Sequence, residues 1–296
     1  MRLEAYDLPA PRKNEIIVRV KAASINPLDW KLRQGFMKIV MRQRFPRAMG
    51  MDFAGIVDAV GPDAVGLAIG DEVIGQAPMM SPGAFAETVL TTSDLVIKKP
   101  ASVSFVDGAV LPSVGVTAWR ALVDAGGLKR GQSVFINGAA GGVGQAAVAI
   151  AKAFGAAITV RVGPSYLADA ANLELARVLD YTQPLPNDLR ASFDIVFDCH
   201  GSLTAREEKM LIKRSGVAVD IDPTIGNLIR SLVSPRHRLV RGMPSKVILQ
   251  KVVDLAVAGQ FQVTISRTSG LSEAIALIGD LEAGRRGAGK AVIIME

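Results

Sequence analysis

The chain has 296 residues, 49% of them hydrophobic and 21% charged, which gives apolar surface enough for two lobes and excludes a disordered segment. Its single cysteine, Cys199, excludes an internal disulfide framework and a cysteine-rich zinc knuckle, and fits a reducing compartment. The net charge of +6 gathers in short groups without interleaved aromatics, at Arg42, Arg44 and Arg47 and again at Arg230, Arg236, Arg238 and Arg241, a pattern of solvated surface or of attraction for an anionic cofactor, not of nucleic-acid binding.

Residues 1–11 lack the charged-then-apolar pattern of a signal segment, and Lys152 and Arg161 interrupt the long apolar stretch. A cytoplasmic protein with no membrane partner is expected. Residues 15–23 alternate as a strand does. Pro27, after Asn26 and shortly before Asp29, opens a short helix that ends at Gly35. Residues 52–60, 71–75 and 84–92 are further short strands, divided by turn signals such as Gly61-Pro62-Asp63 and Ile69-Gly70-Asp71. Together they predict a mostly β lobe to about residue 100.

Residues 106–124 read as helical stretches broken at Pro112, and from there strands and helices alternate. Strands are predicted at 133–137, 157–162, 193–198, 217–221 and 291–295, and helices at 142–154, 246–258 and 271–282. This alternation predicts an α/β lobe built on a parallel sheet with helices on both faces, and a ligand crevice at the strand C-terminal ends.

The stretch Gly138-Ala139-Ala140-Gly141-Gly142-Val143-Gly144 falls on the turn between a predicted strand and a predicted helix. Glycines there let a pyrophosphate approach the backbone and rest on the unpaired amides of a helix N-terminus, so a dinucleotide is expected to bind. A tight βα turn packed for its own sake is the competing explanation. NAD-preferring domains carry an acid about 20 residues beyond the glycines. Residues 157–166 contain none and offer Arg161 and Ser165 instead, so NADPH is the expected cofactor. Arg161 lies within the strand pattern, where it either faces the phosphate or points away.

Several separated signatures occur in order: Asn26-Pro-Leu-Asp-Trp-Lys, Gly50-Met-Asp-Phe-Ala-Gly-Ile-Val, Gly70-Asp-Glu-Val, Gly83-Ala-Phe-Ala-Glu, Leu111-Pro-Ser-Val-Gly-Val-Thr-Ala-Trp, the glycine turn, and Leu179-Asp-Tyr. Together they resemble the medium-chain dehydrogenase/reductase superfamily, in its zinc-independent quinone oxidoreductase branch. The resemblance implies a GroES-like β lobe at 1–100, completed by about 260–296, and a Rossmann doubly wound parallel-sheet lobe at 101–259. It implies a homodimer, and a missing first strand at the start of the chain. It places Thr117 near the nicotinamide ribose and diphosphate, and Tyr181 and Lys290 near the 2′-phosphate, although Lys290 reads equally well as a solvated residue. Cys199, His200 and Ile221 follow strand ends that face the crevice.

In the zinc alcohol dehydrogenases of the superfamily, a Cys and a His stand where this chain has Asn26 and Met51, so no metal is expected. Without a Lewis acid the suited acceptor spreads its new charge over a conjugated system, as a quinone or an α,β-unsaturated carbonyl does. Asn26 would donate to the acceptor oxygen, and Asp29 would orient it or relay a proton; both residues also suit the start of a helix. Phe36 replaces a Tyr common in the family, and Trp30 reads as core or as pocket wall. The resulting expectation is an NADPH-dependent reductase of a small quinone or enone. An enoyl-thioester reductase and a non-catalytic cofactor-binding protein are the alternatives.

Overall fold

A computed structural model describes residues 1–36 and 45–296; Arg42 and Arg44 of the first basic group lie outside the described residues. The chain divides into two compact units. The first comprises Met1–Ser113, Pro244–Val257 and Val263–Glu296, and the second Val114–Met243 and Ala258–Gln262.

The first unit contains β1 (Glu15–Ile25), α1 (Pro27–Arg33), β2 (Asp52–Val60), β3 (Glu72–Gln76), β4 (Thr88–Thr92) and β5 (Val96–Lys98). In β1, Ile16, Val18 and Val20 are buried and alternate with less covered neighbours, the period of a half-buried strand. The helix α2 (Phe105–Trp119) begins in this unit and continues into the second. It runs through Pro112 without a break, because Ala109, Val110, Leu111, Val114 and Val116 are all buried and that packing offsets one missing amide donor. It then widens into a π turn at Arg120–Ala125, closed by a bond from Gly126 N–H to Ala121 O of 2.8 Å.

The second unit holds β6 (Ser133–Asn137), α3 (Gly142–Ala153), β7 (Ala157–Val162), α4 (Leu167–Ala171), β8 (Arg177–Asp180), β9 (Phe193–Asp198), α5 (Ala205–Leu211), β10 (Ile212–Asp220), α6 (Ile225–Val233) and β11 (His237–Leu239). The chain then returns to the first unit as α7 (Lys246–Val257), β12 (Ile265–Gly270), α8 (Ala274–Glu282) and β13 (Lys290–Ile294). Strand β10 starts earlier than its apolar stretch suggests, since a bulge between Ile212 and Val217 carries the exposed Arg214 and Ser215 out of the pattern.

Among the described residues, the first unit has a seven-stranded sheet in the order β12-β13-β1-β2-β3-β5, with β4 also paired to β1. Its core joins Ile16, Val18, Phe53 and Val73 to Leu277, Ile278 and Leu281 of α8. The second unit has a six-stranded, wholly parallel sheet in the order β11-β10-β9-β6-β7-β8. Read from β8, that is the 3-2-1-4-5-6 order of a Rossmann domain, with its switch point between β6 and β9. Among the described residues no helix is long and apolar enough to cross a membrane.

Candidate active site

In the second unit the glycine turn follows β6 at the switch point. Gly141 caps α3 in an extended conformation and offers no side chain to the helix's first amides, so the N–H groups of Gly142, Val143 and Gly144 are left for a ligand. The glycines answer to different constraints. A Cβ on Gly144 would lie 2.3 Å from Gly138 O and 2.5 Å from Ala139 Cα, so the close approach of helix to turn demands glycine there. A Cβ on Gly141 would meet nothing nearer than Gly138 O at 3.6 Å. Nothing among the described residues requires position 141 to be bare, and its bareness suits a phosphate-bearing ligand from outside. Ala140 uses its carbonyl to accept from Gln145 Nε2 at 3.2 Å, which braces the turn.

At the switch point Asn137 and Asp198 stand opposite each other at the ends of β6 and β9, joined by Asn137 Nδ2 to Asp198 Oδ1 at 2.8 Å. Asp198 also accepts from the amides of His200, Gly201 and Leu203 at 3.0, 2.8 and 2.8 Å, which shapes the loop after β9. This organising role was not predicted; a buried acid at a strand end is its only sequence signal. Cys199 is partly covered in that loop, and burial followed by the nearby Asp198 pushes its thiol well above the usual range. His200 is exposed, with its Cβ beside Gly138, and Ile221 follows β10.

Thr117 is buried in this unit, its hydroxyl against the bare backbone of Gly242. Ser165 is exposed in a short turn after β7, and the ring of Tyr181 lies over Gly163, so the two flank one loop. Arg161, however, turns inward. Its Nη2 donates to the carbonyls of Tyr181 and Gln183 at 3.1 Å each, and Nη1 lies 3.7 Å from Glu207. A guanidinium so engaged braces the end of β8 rather than reaching for a phosphate.

Lys290 departs furthest from expectation. It belongs to the first unit, buried on β13, with Nζ donating to Ile25 O and to Asn26 Oδ1 at 2.6 Å each. That places it beside Asn26, buried rather than solvated, with Nζ engaged inside its own unit. Asn26 is equally engaged: Nδ2 donates to Asp52 Oδ2 at 3.0 Å and, over 3.4 Å, to Ser24 O. Asp52 in turn accepts from Gln76 Nε2 at 2.8 Å and Ser113 Oγ at 2.7 Å.

Asp29 accepts from the Asn26 backbone amide at 2.7 Å through Oδ2, the capping arrangement of a helix start, while Oδ1 is buried without a partner among the described residues. Burial, opposed by that amide bond, pushes its carboxyl up to about 7. Asp29 also lines a recess with Arg33, Arg47, Met49, Gly50 and Pro82. Trp30 is a core residue, its ring covered by the Arg286 guanidinium at 5.3 Å, and Phe36 is exposed.

A further buried group was not anticipated, because its members are far apart in sequence. In the second unit the His237 imidazole stands between two carboxylates, with Nε2 3.1 Å from Asp220 and Nδ1 3.5 Å from Glu208, and the Arg230 guanidinium bonds Glu208. Burial above all pushes both carboxyls up to about 7, and burial and Arg230 bring His237 down to about 4. Among the described residues, His237 Nε2 and Asp220 Oδ2 lie at ion-pair distance without forming a hydrogen bond.

The family model for the alcohol dehydrogenase GroES-like domain matches residues 12–101, and that for zinc-binding dehydrogenase matches residues 173–293. The structure of a quinone oxidoreductase from Coxiella burnetii superposes with a TM-score of 0.88 at 30% identity, over 98% of this chain and 94% of that one. A chloroplast envelope quinone oxidoreductase homolog of Arabidopsis thaliana is 28% identical over 90% of this chain and 86% of its own length. The mitochondrial reticulon-4-interacting protein 1 of Caenorhabditis elegans is 33% identical over 74% of this chain and 66% of its own. With the two-unit fold and the glycine turn, these matches establish that the chain belongs to the medium-chain dehydrogenase/reductase superfamily of nicotinamide-dependent oxidoreductases, in its quinone oxidoreductase-like branch.

Proposed function

We propose that the protein reduces a quinone or another conjugated carbonyl with NADPH and without a metal ion. The observation that carries the reading is Gly141, a bare helix cap that no contact among the described residues requires to be bare. The amides that follow it take the diphosphate, and Ser165 and Tyr181, with no acid in residues 157–166, leave room for a 2′-phosphate. When bound, the nucleotide supplies hydride.

The chain's own part is to receive the charge and supply the proton. Asn26 and Met51 offer an amide and a thioether where zinc dehydrogenases carry Cys and His, so the acceptor itself has to delocalise charge. Asn26 has one Nδ2 hydrogen held only by the long Ser24 contact, and that hydrogen is available to an acceptor oxygen. Asp29, protonated over more of the neutral range than an exposed carboxyl, holds the proton at Oδ1. Stopped-flow loss of NADPH absorbance against a panel of quinones, enones and a crotonyl thioester tests the reading. No acceptor faster than background overturns it, and a thioester preference converts it to an enoyl reductase. The homodimer implied by the family resemblance belongs to the same proposal, and light scattering decides it.

A further inference from the structure

We propose that Lys290 is a positioning residue of this reaction, whose buried ammonium group fixes the Asn26 amide and supports Asp29 when that carboxyl gives up its proton. The inference rests on the reductase reading above. It begins with register: β1 pairs antiparallel with β13, Ile25 opposite Ala291, so the residue before Ala291 falls beside Asn26. A lone ammonium in a protein core is costly, and this one is held by two oxygens at 2.6 Å, Ile25 O and Asn26 Oδ1. Donation to Oδ1 fixes which way the amide faces, because only Nδ2 is then left for Asp52 and for an acceptor.

Two carboxylates accept from Asn26, the residue that Lys290 holds, and they are served differently. Asp52 on β2 has neutral donors of its own in Asn26, Gln76 and Ser113. Asp29 has one amide bond and an unpartnered Oδ1. Among the described residues, the other charged groups lining the recess beside Asp29 are Arg33 on the same helix, paired with Glu282, and Arg47 across it. Burial pulls the Lys290 amine below its ordinary range, and the nearby Asp52, then Asp29, oppose that pull and favour the ammonium. After hydride reaches the acceptor, the Oδ1–H bond of Asp29 breaks, the proton joins the reduced acceptor, and Lys290 compensates the new carboxylate until solvent returns a proton. The attraction of Lys290 for ionised Asp29 opposes the burial that pushes the same carboxyl up.

The test compares Lys290→Met, Lys290→Gln and wild type in the full-length protein. Infrared difference titration of the carboxyl band, assigned with Asp29→Asn, reads Asp29 without any turnover. The expected result is a higher midpoint in both Lys290 variants, the direction of losing a nearby opposite charge. With an acceptor, kcat is expected to fall at least about tenfold in Lys290→Met at unchanged NADPH-induced melting shift, less in Lys290→Gln, which keeps a donor for Asn26, and its alkaline limb is expected to move upward with the infrared midpoint. Unmoved midpoints in folded variants overturn the proposal and leave Lys290 a structural residue; if Lys290→Met does not fold, Lys290→Gln carries the same comparison. Failure of wild type to oxidise NADPH with any acceptor overturns the reductase reading instead, while the infrared result still decides the link between Lys290 and Asp29.

Discussion

Replacing Gly141 by Asp separates a glycine needed for a ligand from one needed for packing. The new side chain meets no chain atom within 3.6 Å of its Cβ, and it occupies the N-cap of α3, where Asp is among the preferred residues. The negative charge also suits a helix N-terminus by about 0.3–1 kcal/mol. The ligand-free variant is therefore expected to melt at or slightly above the wild-type temperature. Wild type in NADPH at about 100 times Kd gains about 2.7 kcal/mol. At about 2–4 °C per kcal/mol, that is roughly 5–10 °C in Tm, and the variant is expected to lose nearly all of it. Gly144→Ala is the counterpart: its Cβ would press on backbone atoms at 2.3 and 2.5 Å, so about 1–3 kcal/mol of stability is expected to go without any ligand present. Differential scanning fluorimetry with NADPH, NADH and neither reads all three proteins. A Gly141→Asp variant that keeps its NADPH shift refutes the placement of the diphosphate, and a Gly144→Ala variant as stable as wild type refutes the packing argument.

Further tests address the remaining groups. Ser165→Asp introduces an acid beside the proposed 2′-phosphate position and is expected to weaken NADPH roughly tenfold, about 1.4 kcal/mol, with little effect on NADH; calorimetric titration with both nucleotides checks it. Asn26→Ala removes the acceptor-facing donor and is expected to lower kcat about 100-fold or more in the quinone assay. For Asp220 and Glu208, whose carboxyls burial raises to about 7, the folded chain keeps protons that the unfolded chain loses near its ordinary carboxylate range. Their stabilising contribution is present below the ordinary carboxylate range and lost as pH rises from there through about 7. His237, lowered to about 4, acts the other way, its contribution fading as pH falls from about 6.5 toward 4. With two carboxyls against one imidazole, Tm is expected to decline between about pH 4.5 and 7 and to level off above. Asp220→Asn is expected to flatten that decline, and an unchanged slope in the variant contradicts the assignment.

Local pattern determined much of this protein. Alternation specified β1, the strand–glycine–helix succession specified β6, the turn and α3, and the alternation of strands and helices specified a parallel sheet, because each depends on neighbours within a few residues. Even the capping role of Asp29 was legible as a helix start. Tertiary structure alone decided what depends on pairing between distant segments. Strand β13 crosses to β1 from the far end of the chain, and that register brings Lys290 to Asn26. Arg161 could face either way until β8 supplied the carbonyls of Tyr181 and Gln183 to hold it. The Glu208, Asp220, Arg230 and His237 group exists only where α5, β10, α6 and β11 meet. A sequence fixes periodicity and propensity within its own neighbourhood, whereas the partner of a buried charge is fixed by which remote strand lies alongside it.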